Sequence, residues 1–290
     1  MILSVMTIKL NSQRGGNMYN FYTPNEALLE PRTLLVFGIR KIGKTPVVDA
    51  LPNSILIDFE SGSEHITRKN LINIEKVQAA QDKVRVIDGE FMAFLKEEQK
   101  KHNYQFCVID TVTGLENYGG KHVTDKYNST EIIEAMKVNP NVKLKPIKSY
   151  NDIPYGGGQY KLRNFLSQFT DDLLSIFPRI VFTGHIKEKE VYSGIDQMPK
   201  QLALFGKYAS IFMSRMAVIA YMYQRDNTRI LSMMNGNDST VAGSRVPRLY
   251  GREINISEFD IKTRKVSVMN WEKIYPQTFE KLGLIKKSSK

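Results

Sequence analysis

Four short runs of apolar residues mark the first two thirds of the chain. They are Thr33-Leu-Leu-Val-Phe37, ended by Gly38, then Ser54-Ile-Leu-Ile-Asp-Phe59, Tyr104-Gln-Phe-Cys-Val-Ile-Asp110 and Arg179-Ile-Val-Phe-Thr-Gly184. Apolar at successive positions and rich in β-branched residues, they predict strands buried on both faces. The long connections between them predict crossovers, hence a mostly parallel sheet flanked by helices. Two connections carry a helical period. Residues 89–101 place Phe91, Phe94 and Leu95 on one side and end in basic residues, as the helix dipole prefers. Residues 159–177 repeat Leu162, Phe165, Leu166, Phe169, Leu173 and Phe177 at steps of three and four, and Pro178 stops the run. Strand patterns return at Met216–Tyr223 and Thr228–Met233, and Asn235-Gly-Asn237 offers a turn. Residues 270–284 read as a last short helix before the basic tail Lys286–Lys290.

This pattern divides the chain into an N-terminal extension (1–30), an α/β core with a β-rich C-terminal part (31–255) and a basic C-terminal extension (256–290). Met6 and Met18 each offer an alternative start. Two connections are too long to be simple linkers. Residues 117–150 combine Lys121, Lys126, Lys137, Lys143, Lys145 and Lys148 with Tyr118, Tyr127 and Tyr150; residues 186–209 hold Lys187, Lys189, Lys200 and Lys207 with Gly194 and Pro199 among them. Loops of that length in a compact domain are functional or disordered.

Composition narrows the classes. With 42% hydrophobic and 24% charged residues in 290, the chain has ordinary globular usage, which excludes wholesale disorder. A single cysteine, Cys107, excludes a disulfide within the chain and a Cys-rich zinc site, and fits a reducing, cytoplasmic setting. No stretch of 18 uninterrupted apolar residues occurs, so no membrane partner is expected through a span. The net charge of +11 points to a polyanion, nucleic acid or an anionic surface; the alternative is a dispersed surplus that keeps the protein soluble. Residues 262–290 add eight basic side chains against two acidic ones. Lysines that neutralise phosphates beside tyrosines that stack on bases favour single-stranded nucleic acid over a merely solvated basic face.

The sharpest motif is Gly38-Ile-Arg-Lys-Ile-Gly43-Lys44-Thr45, a complete G-x-x-x-x-G-K-[ST] placed directly after an apolar strand. Its glycines let backbone N–H groups curl around phosphates, Lys44 brings positive charge to the β and γ positions, and Thr45 offers its hydroxyl to Mg²⁺. The nucleotide contacts expected are thus Gly38, Ile39, Arg40, Lys41, Ile42, Gly43, Lys44, Thr45 and Pro46. Pro46 is unusual, because a residue before proline resists the helical conformation. Its missing N–H is harmless in a first helical turn, so a slightly adjusted loop is expected. Asp110, closing an apolar strand, is placed to hold the metal through water. Asp58 and Glu60 share a strand face at the sheet edge. Glu60, at the tip, is the candidate to activate water, and either carboxylate has a structural alternative. His185 ends the fourth strand and is a candidate reader of the γ-phosphate, or an ordinary surface histidine.

The order P-loop, Ile57-Asp-Phe-Glu60, Val108-Ile-Asp110 and Phe182-Thr-Gly-His185 resembles RecA-like recombination ATPases, in particular the phage-encoded single-strand annealing ATPases that consist of a RecA-like core alone. Tyr155-Gly-Gly-Gly-Gln-Tyr160 and Ala242-Gly-Ser-Arg245 are also similar to that group. The resemblance implies a RecA-like P-loop NTPase fold, ATP hydrolysis with Mg²⁺, and ATP-dependent binding and annealing of single-stranded DNA. Lys44, Glu60 and His185 would be the catalytic residues, with His185 coupling nucleotide state to the loop after it. Arg245, or nearby Arg248, would reach a neighbouring subunit's phosphate in a homo-oligomer. A single-strand binding protein would be a further partner. Two alternatives from other classes are a nucleotide-gated scaffold or loader that does not hydrolyse ATP, and a P-loop kinase acting on a small molecule.

Overall fold

The computed structural model describes residues 30–63, 66, 70–141, 144–187, 201–204, 208–234, 241–260 and 265–286. Several sequence expectations fall outside them: the extension up to residue 29, Lys143, Lys189, Gly194, Pro199, Lys200, Lys207, the turn at 235–237 and the tail beyond Lys286.

In chain order the elements are β1 (Thr33–Gly38), α1 (Lys44–Asp49), β2 (Ser54–Asp58), β3 (Leu71–Asn73), α2 (Ile74–Gln81), α3 (Gly89–His102), β4 (Phe106–Asp110), α4 (Val112–Lys126), α5 (Ile132–Val138), α6 (Gly157–Ile176) and β5 (Ile180–His185). Then follow α7 (Tyr208–Ser214), β6 (Val218–Arg225), β7 (Thr228–Ser232), β8 (Gly243–Ser244), β9 (Glu253–Asp260), β10 (Lys265–Met269) and α8 (Pro276–Lys281). The strands form one sheet in the order β10-β9-β7-β6-β1-β5-β4-β2-β3, with β8 pairing β6. β1 runs parallel to β5 and β6, and β4, β2 and β3 continue the parallel part. β7, β9 and β10 add antiparallel strands beyond β6. This is the α/β, mostly parallel RecA-like P-loop NTPase fold.

The continuous apolar runs are explained by two cores. Side chains alternate along each strand. Leu35, Phe37, Ile55, Ile57, Cys107 and Ile109 face one core, shared with α3, α4, α6 and α7. Leu34, Val36, Leu56, Phe106 and Val108 face the other, shared with Val47 and Val48 of α1 and with Trp271, Ile274 and Tyr275. Burial drives the Cys107 thiol pKa far upward, so it is an inert core residue.

That second core corrects the expected C-terminal boundary. The division at 255/256 falls inside β9, and the residues beyond it complete the sheet and cover its second face. Trp271 is buried, and its indole N–H donates to the Val47 carbonyl at 2.9 Å. Lys273, Lys281 and Lys286 of this segment are exposed. Glu30 binds this segment to the core: its buried carboxylate accepts from Thr278 N at 2.9 Å, from Thr278 Oγ1 at 2.6 Å and from Arg179 at 2.6 Å.

The 117–150 connection is also corrected. Residues 112–126 form α4, a π turn covers Tyr127–Glu131, and α5 follows. Tyr118 is buried and its hydroxyl accepts from Val86 N at 2.9 Å and Ile87 N at 2.8 Å, while Tyr127 and Tyr150 pack against the core. Tyr118 is not free to stack on a base, whereas Tyr127 and Tyr150 are half-buried. Lys121, Lys126, Lys137, Lys145 and Lys148 are exposed, as a phosphate-facing role needs. Phe94 of α3 is exposed too, since the core contacts of that helix are Phe91 and Leu95, one turn apart.

Candidate nucleotide-binding site

The end of β1 delivers the chain into a turn at the C-terminal edge of the parallel strands, where ligands bind in open α/β sheets. Ile39, Arg40 and Lys41 are exposed at this turn, and Ile42 is buried in the second core. Gly43 has a left-handed φ of 91° and caps α1, which begins at Lys44. Thr45 is helical and Pro46 is the third helical residue, a position whose N–H has no partner within the helix. Pro46 is thus accommodated with Thr45 kept helical, where the sequence predicts a slightly adjusted loop.

Lys44 is buried, and its ammonium donates to the Ile39 carbonyl at 2.8 Å, the Gly38 carbonyl at 3.2 Å and His185 Nδ1 at 3.2 Å. Burial lowers its pKa to about 8, against the opposing pull of Asp110 and Glu60. An ammonium only donates, so Nδ1 of His185 accepts, and the proton of the neutral ring sits on Nε2. Nε2 donates to Glu60 Oε2 at 2.9 Å. Glu60 Oε1 accepts from Thr111 Oγ1 at 2.7 Å. Burial pushes the Glu60 carboxyl up, but the hydrogen bonds from His185 and Thr111 outweigh it, and the group is held below its ordinary range.

Thr111 is also the N-cap of α4, accepting from Gly114 N at 3.0 Å. Gly114 is the reason α4 can pass so close. A methyl group there would lie 2.6 Å from Glu60 Cγ and 2.9 Å from Phe59 Cβ. Cap and glycine together fix the Glu60 side chain.

Asp110 is buried at the end of β4. Burial raises its carboxyl pKa, while hydrogen bonds from Thr183 and Thr45 draw it down and Asp58 and Glu60 add to the rise. The Thr45–Asp110 contact joins the P-loop hydroxyl to the carboxylate across β5, which lies between β1 and β4. Asp58 has a structural role. It is buried and accepts from Glu60 N at 2.9 Å, Ser63 N at 3.0 Å and the Ser63 hydroxyl, which shapes the loop that carries Glu60.

These groups line one pocket of about 660 Å³ that includes Arg40, Lys41, Gly43, Lys44, Thr45, Glu60, Asp110 and His185, and extends past Asn117 and Lys121 of α4. Arg245 and Arg248 are elsewhere in the chain. Arg245 follows β8, which pairs the start of β6, at the edge of the sheet opposite the P-loop, and donates to the Ser214 carbonyl at 2.6 Å. Arg248 donates to the carbonyls of Lys273 and Ile274. Neither joins the chain's own pocket.

The residues fit a Mg²⁺–nucleotide. Among the described residues no group of three or more His, Cys, Asp or Glu could hold a metal alone. Thr45 joined to Asp110 is a donor pair suited to magnesium that takes its remaining ligands from phosphate and water. Sequence reasoning missed Thr111, Gly114 and Thr183. Thr183 shares a strand face with His185, so alternation carried that signal.

Fold and site together define a P-loop NTPase. The chain belongs to the AAA domain family, which it matches over residues 30–246. No curated protein matches it. Among solved structures it is similar to a KaiC-like protein from the hyperthermophilic archaeon Pyrococcus horikoshii OT3, at 14% identity over 82% of this chain and 89% of that one, with a TM-score of 0.39. The RadB recombinase is similar at 11% identity over 70% of this chain and 80% of that one, with a TM-score of 0.35. No helix among the described residues is long and apolar enough to cross a membrane.

Proposed function

We propose that the protein is a magnesium-dependent ATPase that binds single-stranded DNA and promotes its annealing in recombination of the phage type, acting as a homo-oligomer. The observation that carries the ATPase reading is the chain of contacts Lys44–His185–Glu60 beside the Thr45–Asp110 pair. Lys44 and the P-loop amides hold the phosphates. Thr45 and Asp110 would hold a magnesium ion, which would supply neutralisation of the phosphate charge. Glu60 orients a water and takes its proton as the water oxygen bonds to the γ-phosphorus and the bond to ADP breaks. Once the phosphates draw Lys44 away, His185 loses its Nδ1 donor while keeping its place at the end of β5. Its carbonyl accepts from Ala203 N at 2.7 Å, and Ile186 bridges Leu202, so any shift of His185 is felt at the base of the connection that follows.

The single-stranded DNA reading rests on the sequence resemblance, the +11 charge and one further feature. Tyr155 is fully exposed with a left-handed φ of 57°, in the short turn Pro154–Gly156 that follows the Ser149–Asp152 capping box. Tyr160 is exposed beside it in sequence. An exposed aromatic ring on a turn, with Lys145 and Lys148 exposed upstream, has the chemistry of a base-stacking platform. The test is the ATPase rate with and without single-stranded DNA. Stimulation by DNA supports the proposal; a flat, very low rate with intact ATP binding indicates a scaffold, and dependence on a small molecule indicates a kinase.

A further inference from the structure

We infer that Arg229 is a positioning residue for nucleotide binding, holding the P-loop turn in shape from outside the pocket; the inference rests on the nucleotide reading above. Arg229 lies on β7, nearly two hundred residues beyond the phosphate motif, and belongs to no pattern that the sequence offers. β7 pairs antiparallel with β9, and the register slips between Arg229 and Ile230. The extra residue of that slip, Ile256, lies on β9, so β7 keeps its alternation and Arg229 shares a face with Leu231, which packs in the second core with Ile42. Here the side chain is aimed at the P-loop. Arg229 Nε donates to the Ile42 carbonyl at 2.9 Å, and Nη1 lies 3.5 Å from Ser257 Oγ on β9. Its guanidinium also packs on Gly43. A methyl group on that glycine would come within 2.7 Å of Cζ and Nη2 and within 2.8 Å of Nε. Gly43 therefore serves twice, by adopting a φ of 91° and by leaving room for the guanidinium.

The consequence follows from peptide geometry. In a trans peptide the carbonyl of one residue and the N–H of the next point in opposite directions in one plane. Fixing the Ile42 carbonyl on Arg229 therefore fixes the Gly43 N–H on the opposite side. Gly43 lines the pocket and Arg229 does not, so the opposite side is the phosphate side. Arg229 sets a cradle amide without touching the ligand. Lysine cannot substitute, because a point charge on a flexible stem does not give both a flat face over Gly43 and a directed donor to Ile42.

The experiment uses the full chain with a fluorescent ATP analogue and Mg²⁺, titrated against the parent protein, Arg229→Gln and Arg229→Lys, alongside ATPase kinetics and thermal melting. Both variants are expected to bind about tenfold or more weakly, the loss typical of a hydrogen bond from a charged donor. Their kcat at saturating ATP should stay within about twofold of the parent, because only the ground-state cradle is loosened. Parent-like affinity in Arg229→Gln overturns the inference. So does a loss of affinity in both variants that tracks a fall in melting temperature and in kcat, which is the mark of a merely structural residue. Failure of the parent itself to bind the analogue would overturn the nucleotide reading along with it.

Discussion

His185 Nε2 donates to Glu60 Oε2 across 2.9 Å, and the same ring accepts from Lys44 on its other nitrogen. The lysine of the phosphate motif and the carboxylate proposed to activate water thus share one imidazole, and mutation of each tests its proposed role by itself.

Glu60→Gln keeps the side-chain volume and an oxygen that can still accept from His185 or Thr111, but it cannot take a proton. Nucleotide affinity should remain close to that of the parent while turnover falls by roughly 10²–10⁴, the usual worth of a positioned base. Parent-like steady-state turnover in this variant would remove the role assigned to Glu60. Gly114→Ala reaches the same residue from behind, since the added methyl group collides with Glu60 Cγ. It should lower kcat more than it raises KM, read from initial rates against ATP concentration.

Burial lowers the Lys44 pKa to about 8, whereas a bound triphosphate favours the charged form. Free protein above pH 8 has lost this proton and must regain it on binding. Nucleotide affinity should therefore fall as pH rises through about 8, with binding accompanied by proton uptake. Calorimetric titrations at pH 7 and pH 9 in buffers of different ionisation enthalpy would measure it. A flat affinity over that range, with no uptake, contradicts the burial of the ammonium.

His122 of α4 stacks on Phe165 at 4.4 Å, and its Nδ1 is buried with no hydrogen-bond partner. Burial, with Arg85 and Lys126 nearby, lowers its pKa to about 4 from an ordinary 6.5. Below pH 6.5 the unfolded chain takes up this proton before the folded chain does. Stability is then lost as pH falls from 6.5 towards 4. His122→Phe should flatten that part of the profile, read as urea midpoints at pH 7 and pH 5.

Tyr155→Ala removes a ring with no packing in the folded chain, so thermal stability should change by no more than about 0.5 kcal/mol. Binding of single-stranded DNA should weaken by about 1–3 kcal/mol, the worth of one base–aromatic stack. Unchanged affinity in a fluorescence-anisotropy titration would place the DNA elsewhere.

The parts of the fold that could be read from sequence include the strands buried on both faces and the two helices with a regular apolar stripe. β1, β2, β4 and β5 are continuous apolar runs because each contributes to two cores. α4 was hidden by Gly114, Gly119 and Gly120, poor helix formers that are present because Glu60, Leu162, Phe165 and Tyr150 pack where their side chains would be. β9 alternates Ile254 and Ile256 with polar neighbours, yet its position among basic residues disguised it as an extension. In the site, the phosphate motif, Glu60, Asp110 and His185 were legible because each stands at a strand end. Thr111 was not, because its importance lies in capping one helix while gripping a carboxylate from another element. Arg229 was not either, since alternation along β7 gives its face but not the distant turn that this face meets.

The grip of Glu30 on Thr278 brings the first described residue within hydrogen-bond distance of the last helix. The entrance to the first strand and the helix beside the second core are therefore latched together, so that loosening α8 also loosens the approach to β1.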